Sequence, residues 1–327
     1  MNEDKLLEIK NLTVYYKTHD ANVHAVENLN LSLKEGETLG LVGETGAGKT
    51  TTVKSVIGIL PKPPAEIMSG EIIFEGNDIL KMAARDMRKI RGKKISMIFQ
   101  DPMTSLNPIM TVGDQIAEVI RLHNKCSAKE AVVKACDMLK LVGIRPERGT
   151  DYPHQFSGGM KQRVIIAMAL ACNPKLLIAD EPTTALDVTI QAQVLELMKS
   201  LKDKYRTAMI MITHDLGIVA EICDNVAIMY AGEVVEQGTK EQIFNHTLHP
   251  YTQGLFACIP DIMEEENVLT PIDGMPPNPS ELPSGCRFSP RCSKAVECCR
   301  KEHPEMKETE PGHFVACHQI KGGVHHV

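Results

Sequence analysis

Alternating and continuous apolar segments predict a chain rich in strands, with helices between them. Residues 6–16 and 23–33 alternate apolar with polar positions, which is the period of a strand with one buried face. Short and mostly apolar segments at 37–42, 71–74 and 95–99 predict further strands, and the first of them leads into a glycine-rich loop. These patterns indicate buried strands that carry loops at their ends.

Helical and strand patterns alternate in the later part of the chain. Residues 111–145 have helical spacing and polar faces, and predict a helical insert that we place at about 101–165. Further strands are predicted at 176–179, 207–213, 226–230 and 233–236, and an amphipathic helix at 188–204. The last two strands are joined at Ala231-Gly232 and predict a hairpin, and Thr239 with Gln242 three residues later predicts a helix N-terminal capping box. Strands that alternate with helices in this way indicate an α/β fold.

A glycine-rich segment between a predicted strand and a predicted helix has the pattern of a phosphate-binding loop. Residues 43–50 read Gly-Glu-Thr-Gly-Ala-Gly-Lys-Thr and fit G-x-x-x-x-G-K-[ST]. Glycines allow backbone N–H groups to turn around phosphate oxygens, and a helix that begins at Lys49 directs its positive dipole end at the same anion. In this pattern Lys49 reaches the β- and γ-phosphates, and the Thr50 hydroxyl ligates Mg²⁺. The predicted nucleotide contacts are Gly43, Glu44, Thr45, Gly46, Ala47, Gly48, Lys49, Thr50 and Thr51.

Two predicted strands end in polar residues that suit phosphoryl transfer. Asp180 and Glu181 follow the strand at 176–179, and His214 follows the strand at 207–213. Ligands of such sheets bind at the carboxyl ends of the strands. We therefore expect Asp180 to hold Mg²⁺ through water, Glu181 to act as general base, and His214 to contact the γ-phosphate. Each feature alone would equally suit a solvated turn, and the phosphate loop favours the catalytic interpretation.

Ser157, Gly158 and Gly159 precede an apolar helical stretch at 164–171. A serine cap and bare glycine amides at the start of a helix form an anion site. Because the chain already has a complete phosphate loop, we infer that this second site serves the γ-phosphate held by another subunit. Two chains would then pack head to tail with two ATP molecules between them. A simple helix cap with a glycine hinge is the alternative interpretation.

Together with the phosphate loop and the acidic strand, residues 156–163, Phe-Ser-Gly-Gly-Met-Lys-Gln-Arg, resemble the ATP-binding subunits of ABC transporters. The family signature is L-S-G-G-x-x-Q-R, from which only Phe156 departs, and the resemblance covers about residues 5–260. It implies a P-loop ATPase fold with an antiparallel β subdomain and an inserted helical subdomain. The resemblance also implies that Tyr16 stacks on adenine, that Gln100 ligates Mg²⁺ and senses the membrane subunit, that Asp187 lies in the loop crossing the dimer interface, and that His214 is the switch histidine.

Narrower features resemble the di- and oligopeptide importer branch of that family, namely residues 100–108, residues 249–253 and the proline- and cysteine-rich tail. The resemblance implies ATP-driven peptide import by two ATPase subunits, this chain with a similar chain or a second copy. Two membrane permease subunits and an extracytoplasmic solute-binding protein would complete the assembly, with no nucleic-acid partner. Nickel or sugar import is an alternative within the branch. A soluble ABC ATPase acting on nucleic acid is another, but those enzymes usually carry tandem cassettes or long coiled coils.

The composition changes after about residue 260, where prolines and then cysteines accumulate. We place a boundary there, between an ATP-binding domain at 1–260 and a cysteine-rich appendage at 261–327. Intervals of five, six and seventeen residues separate Cys286, Cys292, Cys299 and Cys317. Four thiolates suit tetrahedral Zn²⁺ or a four-iron cluster, or stay unmetallated. The resemblance to importer tails implies a [4Fe-4S] cluster that leaves Cys298 as a spare thiol. We expect removal of any one of these four ligands to loosen the tail and to leave ATP binding at 43–50 largely unchanged.

Composition and charge narrow the possible functions. With 36 basic and 42 acidic residues, the formal net charge of −6 disfavours a globally basic nucleic-acid binder. The longest uncharged apolar run, nine residues at 164–172, is well below the about 20 that a membrane span needs. The acidic and polar start differs from a secretory signal. We expect a peripheral protein at the cytoplasmic face of the cell membrane.

Overall fold

A computed structural model describes residues 5–19, 21–184, 186–258 and 271–320. The described strands are β1 (Lys5–Lys17), β2 (Asn22–Lys34), β3 (Thr38–Val42), β4 (Ala65–Phe74), β5 (Asn77–Asp78), β6 (Ile95–Ile98), β7 (Leu176–Asp180), β8 (Ala208–Ile212), β9 (Asn225–Tyr230), β10 (Glu233–Thr239), β11 (Lys307–Glu310) and β12 (His313–Val315). The described α-helices are α1 (Lys49–Ile57), α2 (Ala84–Ile90), α3 (Pro102–Ser105), α4 (Val112–His123), α5 (Ala128–Leu141), α6 (Gly158–Leu170), α7 (Val188–Tyr205), α8 (Leu216–Ile222), α9 (Lys240–Asn245), α10 (Pro250–Ala257) and α11 (Glu297–Lys301).

The chain divides into two compact units. The first contains residues 33–38 and 74–212 together with the described residues before Glu8. The second contains residues 8–32 and 39–73 and the described residues from Thr213 onward. Within these described ranges, no helix combines the length and apolar character that a membrane crossing requires.

The first unit is built on the parallel strands β6, β7 and β8. Ile95 lies opposite Leu176, and Leu176 lies opposite Ala208 on the other side. Every residue of β7 and β8 is buried, as expected for parallel strands that are covered on both faces. The strands predicted from the apolar segments at 95–99, 176–179 and 207–213 are confirmed to within one residue at each end.

Helices α3, α4, α5 and α6 occupy the chain between β6 and β7. Thr111 caps α4 by accepting the Asp114 N–H. Ser127 and Glu130 form a reciprocal capping box at the start of α5, a local reason for that helix to begin there. The helices predicted within 111–145 are therefore confirmed. The bounds of 101–165 for an inserted subdomain stay a prediction, and residue 165 falls inside α6.

In the second unit, β3 leads to the phosphate loop and pairs in parallel with β9. Strand β9 pairs antiparallel with β10, so the predicted hairpin is confirmed. Its turn contains Ala231 and Gly232, at φ 45° and 92°. The Gly232 N–H donates to the Ala47 carbonyl oxygen at 3.0 Å, so the hairpin turn contacts the phosphate loop.

Strands β2, β1 and β4 are neighbours in that order, in the region where the resemblance places an antiparallel β subdomain. Strand β4 begins at Ala65, six residues earlier than predicted. Gly70 has φ 105°, and a Cβ there would lie 2.6 Å from Leu12 Cα, so glycine allows the close approach to β1. Of the missed residues only Ala65 is buried, so the segment has no regular buried face and periodicity alone does not reveal this pairing.

The described part of the tail extends the sheet of the second unit. Strand β12 pairs antiparallel with β10, where Val315 lies opposite Glu236, and β11 pairs with β12. The Arg287 guanidinium donates to the Ala231 carbonyl oxygen at 2.5 Å, and His303 Nε2 lies 2.6 Å from the Glu233 carboxylate. The predicted boundary between 260 and 261 lies outside the described residues and stays a prediction.

Candidate nucleotide site

The phosphate loop joins the end of β3 to the start of α1, as the sequence predicts. Gly48 is the N-cap of α1 at φ 99°, and a Cβ there would lie 2.4 Å from the Ala25 carbonyl oxygen. A Cβ on Gly43 would lie 2.1 Å from the Met229 carbonyl oxygen. Both glycines are therefore required by close packing of the loop backbone against its neighbours.

Lys49 is turned back over the loop from the first position of α1. Its Nζ donates to the carbonyl oxygens of Gly43 and Glu44 at 2.6 and 2.9 Å. The ammonium thus lies beside the first amides of α1, where charge and helix dipole both favour an anion. The Tyr16 hydroxyl lies 3.3 Å from the Thr51 hydroxyl, so the residue expected to stack on adenine adjoins the same helix.

In the first unit, β7 ends at the predicted acidic pair. Asp180 is buried, and Glu181 has φ 47°, an uncommon conformation for a residue with a side chain. Gln100 Nε2 donates to Glu181 Oε2 at 2.9 Å, and Thr184 Oγ1 donates to the same oxygen at 3.0 Å. Two donors thereby orient the carboxylate that we assign as general base.

Thr184 is the contact that the sequence analysis missed. It is three residues after Glu181, and its N–H donates to the Glu181 carbonyl oxygen at 3.2 Å. The sequence signal for this contact is a hydroxyl residue three positions after the acid, in the turn that ends β7. Ala185, the next residue of this loop, lies outside the described residues.

His214 lies between β8 and α8, at the predicted strand end, and is exposed. The neighbouring Asp215 has a local structural role, because its Oδ1 accepts the N–H groups of Gly217 and Ile218 at 2.8 and 3.3 Å. These bonds cap α8 and set the position of the residue before it. The contact of His214 with a γ-phosphate stays a prediction.

The signature glycines lie at the start of α6, and Ser157 is its N-cap residue as expected, but its side chain makes no capping bond. Ser157 is exposed. A Cβ on Gly159 would lie 2.4 Å from Ile190 Cγ2, so the start of α6 packs against α7. Asp187, the N-cap residue of α7, is also exposed and makes no side-chain cap. The fold therefore brings Ser157 and the predicted interface residue Asp187 to adjacent helix starts.

Phe156 replaces leucine in the signature pattern and fills a buried position. The Arg148 guanidinium carbon lies 4.4 Å from the centre of its ring. Arg148 also donates to the Asp151 carboxylate at 2.8 Å and to the Gln155 carbonyl oxygen at 3.0 Å. The aromatic ring thus keeps the apolar role of leucine and adds a cation–π contact.

The four tail cysteines lie near one another as unpaired thiols. Burial, with smaller contributions from the nearby Glu233, Cys299 and Cys317, raises the pKa of Cys286 to about 11. Burial also raises the pKa values of Cys292 and Cys317. Each of these three thiols accepts a backbone N–H two residues later in the chain, from Phe288, Lys294 and Gln319.

The predicted metal site is not supported by this geometry. Within the ranges that the structure describes, no group of three or more His, Cys, Asp or Glu side chains is arranged to hold a metal ion. Cys298 is exposed, in keeping with its assignment as the spare thiol.

Comparisons with known proteins agree with the loop, the acidic strand and the tail. The model of the ABC transporter family matches residues 26–184, and the model described as "Oligopeptide/dipeptide transporter, C-terminal region" matches residues 235–299. The oligopeptide transport ATP-binding protein OppD of Bacillus subtilis is 51% identical over 95% of this chain and 88% of its own length. The dipeptide transport ATP-binding protein DppD of the same organism is 48% identical over 96% of this chain and 94% of its own length.

Solved structures show the same fold. A dimeric ATP-binding cassette bound to ADP and phosphate is 28% identical, with a TM-score of 0.65 over 72% of this chain and 98% of its own. The cbiO1 subunit of Clostridium perfringens, part of an ABC transporter complex, is 30% identical, with a TM-score of 0.64 over 75% of this chain and 93% of its own. The fold and the phosphate loop define a P-loop ATPase. The chain belongs to the ABC transporter family, as an ATP-hydrolysing transporter subunit with the C-terminal region of the oligopeptide and dipeptide branch.

Proposed function

We propose that this chain hydrolyses ATP to power the import of di- or oligopeptides. The observation that carries the proposal is the match of residues 235–299 to the oligopeptide and dipeptide transporter region, in a chain that also has the phosphate loop. Relatives named for oligopeptide and dipeptide transport, about half identical over nearly the whole chain, support peptides over nickel, sugars or nucleic acid.

In this function the predicted site residues have distinct chemical roles. Lys49 and the amides at the start of α1 bind phosphate oxygens, and Tyr16 packs on adenine. Glu181, oriented by Gln100 and Thr184, accepts the proton of the attacking water, while His214 contacts the γ-phosphate. A hydroxyl, an amide oxygen and a carboxylate are hard donors that fit Mg²⁺, and the residues that would hold it are Thr50, Gln100 and Asp180. Bound Mg²⁺ supplies charge neutralisation of the β- and γ-phosphates.

The signature serves ATP bound to a partner ATPase subunit. Ser157 is exposed and free of a capping bond, and it lies at a helix start adjacent to that of Asp187, which supports this role. A related cassette that is dimeric with ADP and phosphate supports the same arrangement. The partner is a similar chain or a second copy. Both ATPase subunits would act beneath two permease subunits at the cytoplasmic face of the membrane. An extracytoplasmic solute-binding protein would deliver the solute to the permease subunits.

The test is uptake of a labelled tripeptide by cells whose chromosomal copy is deleted and replaced by a plasmid copy. Wild-type chain should restore uptake and should co-purify with membrane subunits, whereas Glu181→Gln should be present at the membrane without restoring uptake. Restored uptake of Ni²⁺ or a sugar, without peptide uptake, would replace the proposed solute and keep the ATPase role.

A [4Fe-4S] cluster held by Cys286, Cys292, Cys299 and Cys317 is a separate proposal, with zinc as the alternative. The resemblance of their spacing to importer tails and the three backbone N–H···S contacts support it. Anaerobic protein should contain about four irons and four acid-labile sulfides per chain. One zinc per chain would favour the tetrahedral site, and metal-free protein would overturn both.

A further inference from the structure

The phosphate loop contains an acidic side chain that is neutralised by a residue of the tail. Arg291 Nη1 donates to both carboxylate oxygens of Glu44, at 3.0 and 2.9 Å. The Arg291 side chain is 7% exposed and that of Glu44 is 27% exposed, so the ion pair is largely shielded from solvent. The two residues are 247 positions apart, and no local pattern connects them.

Three further hydrogen bonds hold the guanidinium in this position. Nε donates to the Asp273 carbonyl oxygen at 3.0 Å, and Nη2 donates to the Ile272 carbonyl oxygen at 3.3 Å. Nη1 also lies 3.3 Å from the Tyr230 hydroxyl. The planar fork of arginine meets all of these acceptors at once, so its charge cannot leave Glu44 without breaking the other bonds.

The backbone of Glu44 is held by the same unit. Its N–H donates to the Tyr251 hydroxyl at 3.0 Å. The rings of Tyr230 and Tyr251 are 4.6 Å apart, and each lies within 5.4 Å of the buried Phe288 ring. Both the side chain and the backbone of Glu44 are therefore fixed by groups outside the loop.

We propose that Arg291 is a positioning residue of the nucleotide site. ATP carries its negative charge into this loop, where an unpaired Glu44 carboxylate would repel the phosphates and could also capture the Lys49 ammonium. Arg291 neutralises the carboxylate and holds the second residue of the loop in place.

The experiment measures ATP affinity of the full-length chain with Mg²⁺ by calorimetry, and steady-state ATPase kinetics. Arg291→Met should raise the ATP Kd and KM about tenfold, which is about 1.4 kcal/mol, with kcat changed less than about twofold. Arg291→Lys keeps the charge and should lose less than about threefold. Glu44→Gln in the Arg291→Met chain should restore most of the lost affinity, because it removes the repulsive charge.

Arg287→Met is the matched control. Arg287 lies four residues earlier, is also 7% exposed, and contacts Glu27, Glu233 and the Ala231 carbonyl oxygen of the hairpin turn but no residue of the phosphate loop itself. It should affect docking of the tail to a comparable degree while leaving the ATP Kd within about twofold of wild type. Circular dichroism and thermal melting would confirm that each variant is folded.

Unchanged ATP affinity in folded Arg291→Met would overturn the proposal. Equal losses in Arg287→Met and Arg291→Met, without rescue by Glu44→Gln, would show that Arg291 only docks the tail. If Arg291→Met does not fold, Arg291→Gln decides. It keeps a donor for the carbonyl oxygens of Ile272 and Asp273 but carries no charge, so it should raise the ATP Kd about tenfold, and unchanged affinity would overturn the proposal.

Discussion

His249 is a buried imidazole that should couple the stability of the second unit to pH. It is 1% exposed, and its Nδ1 accepts the Tyr251 N–H at 3.0 Å as the N-cap of α10. Its Nε2 is buried without a hydrogen-bond partner among the described residues. Burial lowers the pKa of His249 to about 4, although the nearby Glu236 carboxylate favours the charged form. Protonation of Nδ1 would also break the cap.

The sign of the effect follows from the depressed pKa. An unfolded histidine has a pKa of about 6.5, so below that pH the unfolded chain binds a proton that the folded chain refuses. The stability from neutral His249 is therefore fully present above about pH 6.5 and is lost as the pH falls toward 4. The largest loss of unfolding free energy that this histidine can cause is about 3 kcal/mol, and about 2 kcal/mol of it occurs between pH 7 and pH 5.

Urea unfolding at pH 7 and pH 5 measures this loss. His249→Asn keeps a side-chain oxygen that can cap α10 but cannot titrate in this range. The variant should lose about 2 kcal/mol less stability than wild type between the two pH values. Only this difference matters, because carboxylates elsewhere titrate in both chains. The exposed His246, three residues earlier, is the control, and His246→Asn should keep the wild-type pH dependence.

Equal pH dependence in wild type and His249→Asn would refute the reasoning. A direct check is the nuclear magnetic resonance titration of the His249 ring. An apparent pKa near 6.5 in the folded protein would mean that burial does not exclude the charge, and the predicted loss would then disappear.

Three further predictions concern catalysis and packing. Glu181→Gln should keep ATP binding and slow hydrolysis by about 10²–10⁴-fold, measured by phosphate release, and near-normal turnover would remove Glu181 as the base. If the chain forms homodimers, mixing Ser157→Arg chains with Lys49→Ala chains should restore part of the ATPase activity, because one of the two composite sites in each mixed dimer is then intact. No recovery of activity in confirmed mixed dimers would contradict a site shared between subunits. Gly159→Val should lower the melting temperature, since the new side chain would overlap Ile190, whose Cγ2 lies 2.4 Å from a Cβ at that position. An unchanged melting temperature would show that α6 and α7 separate at little cost.

Features built from consecutive residues could be predicted from the sequence. The phosphate loop, the ends of β3 and β7 and the hairpin turn at Ala231-Gly232 depend on short-range backbone preferences and on which faces are apolar. The capping box of α9, with Thr239 and Gln242 three residues apart, is confirmed for the same reason. The N-cap position of Ser157 could be predicted in the same way, whereas the absence of a side-chain capping bond could not, because a residue type that often caps a helix need not use its side chain to do so.

Contacts between distant segments were decided by the tertiary structure. Glu181 receives its hydrogen bond from Gln100, 81 positions away, and the loop residue Glu44 is neutralised by Arg291, 247 positions away. The early start of β4 depends likewise on how closely Gly70 approaches β1. The sequence by itself determined which segments become strands, helices and the phosphate loop, because those choices follow from local conformational preference and apolar periodicity. Which distant side chain contacts each loop depends on how the long segments between them fold and pack. These contacts are therefore determined only by the tertiary structure as a whole.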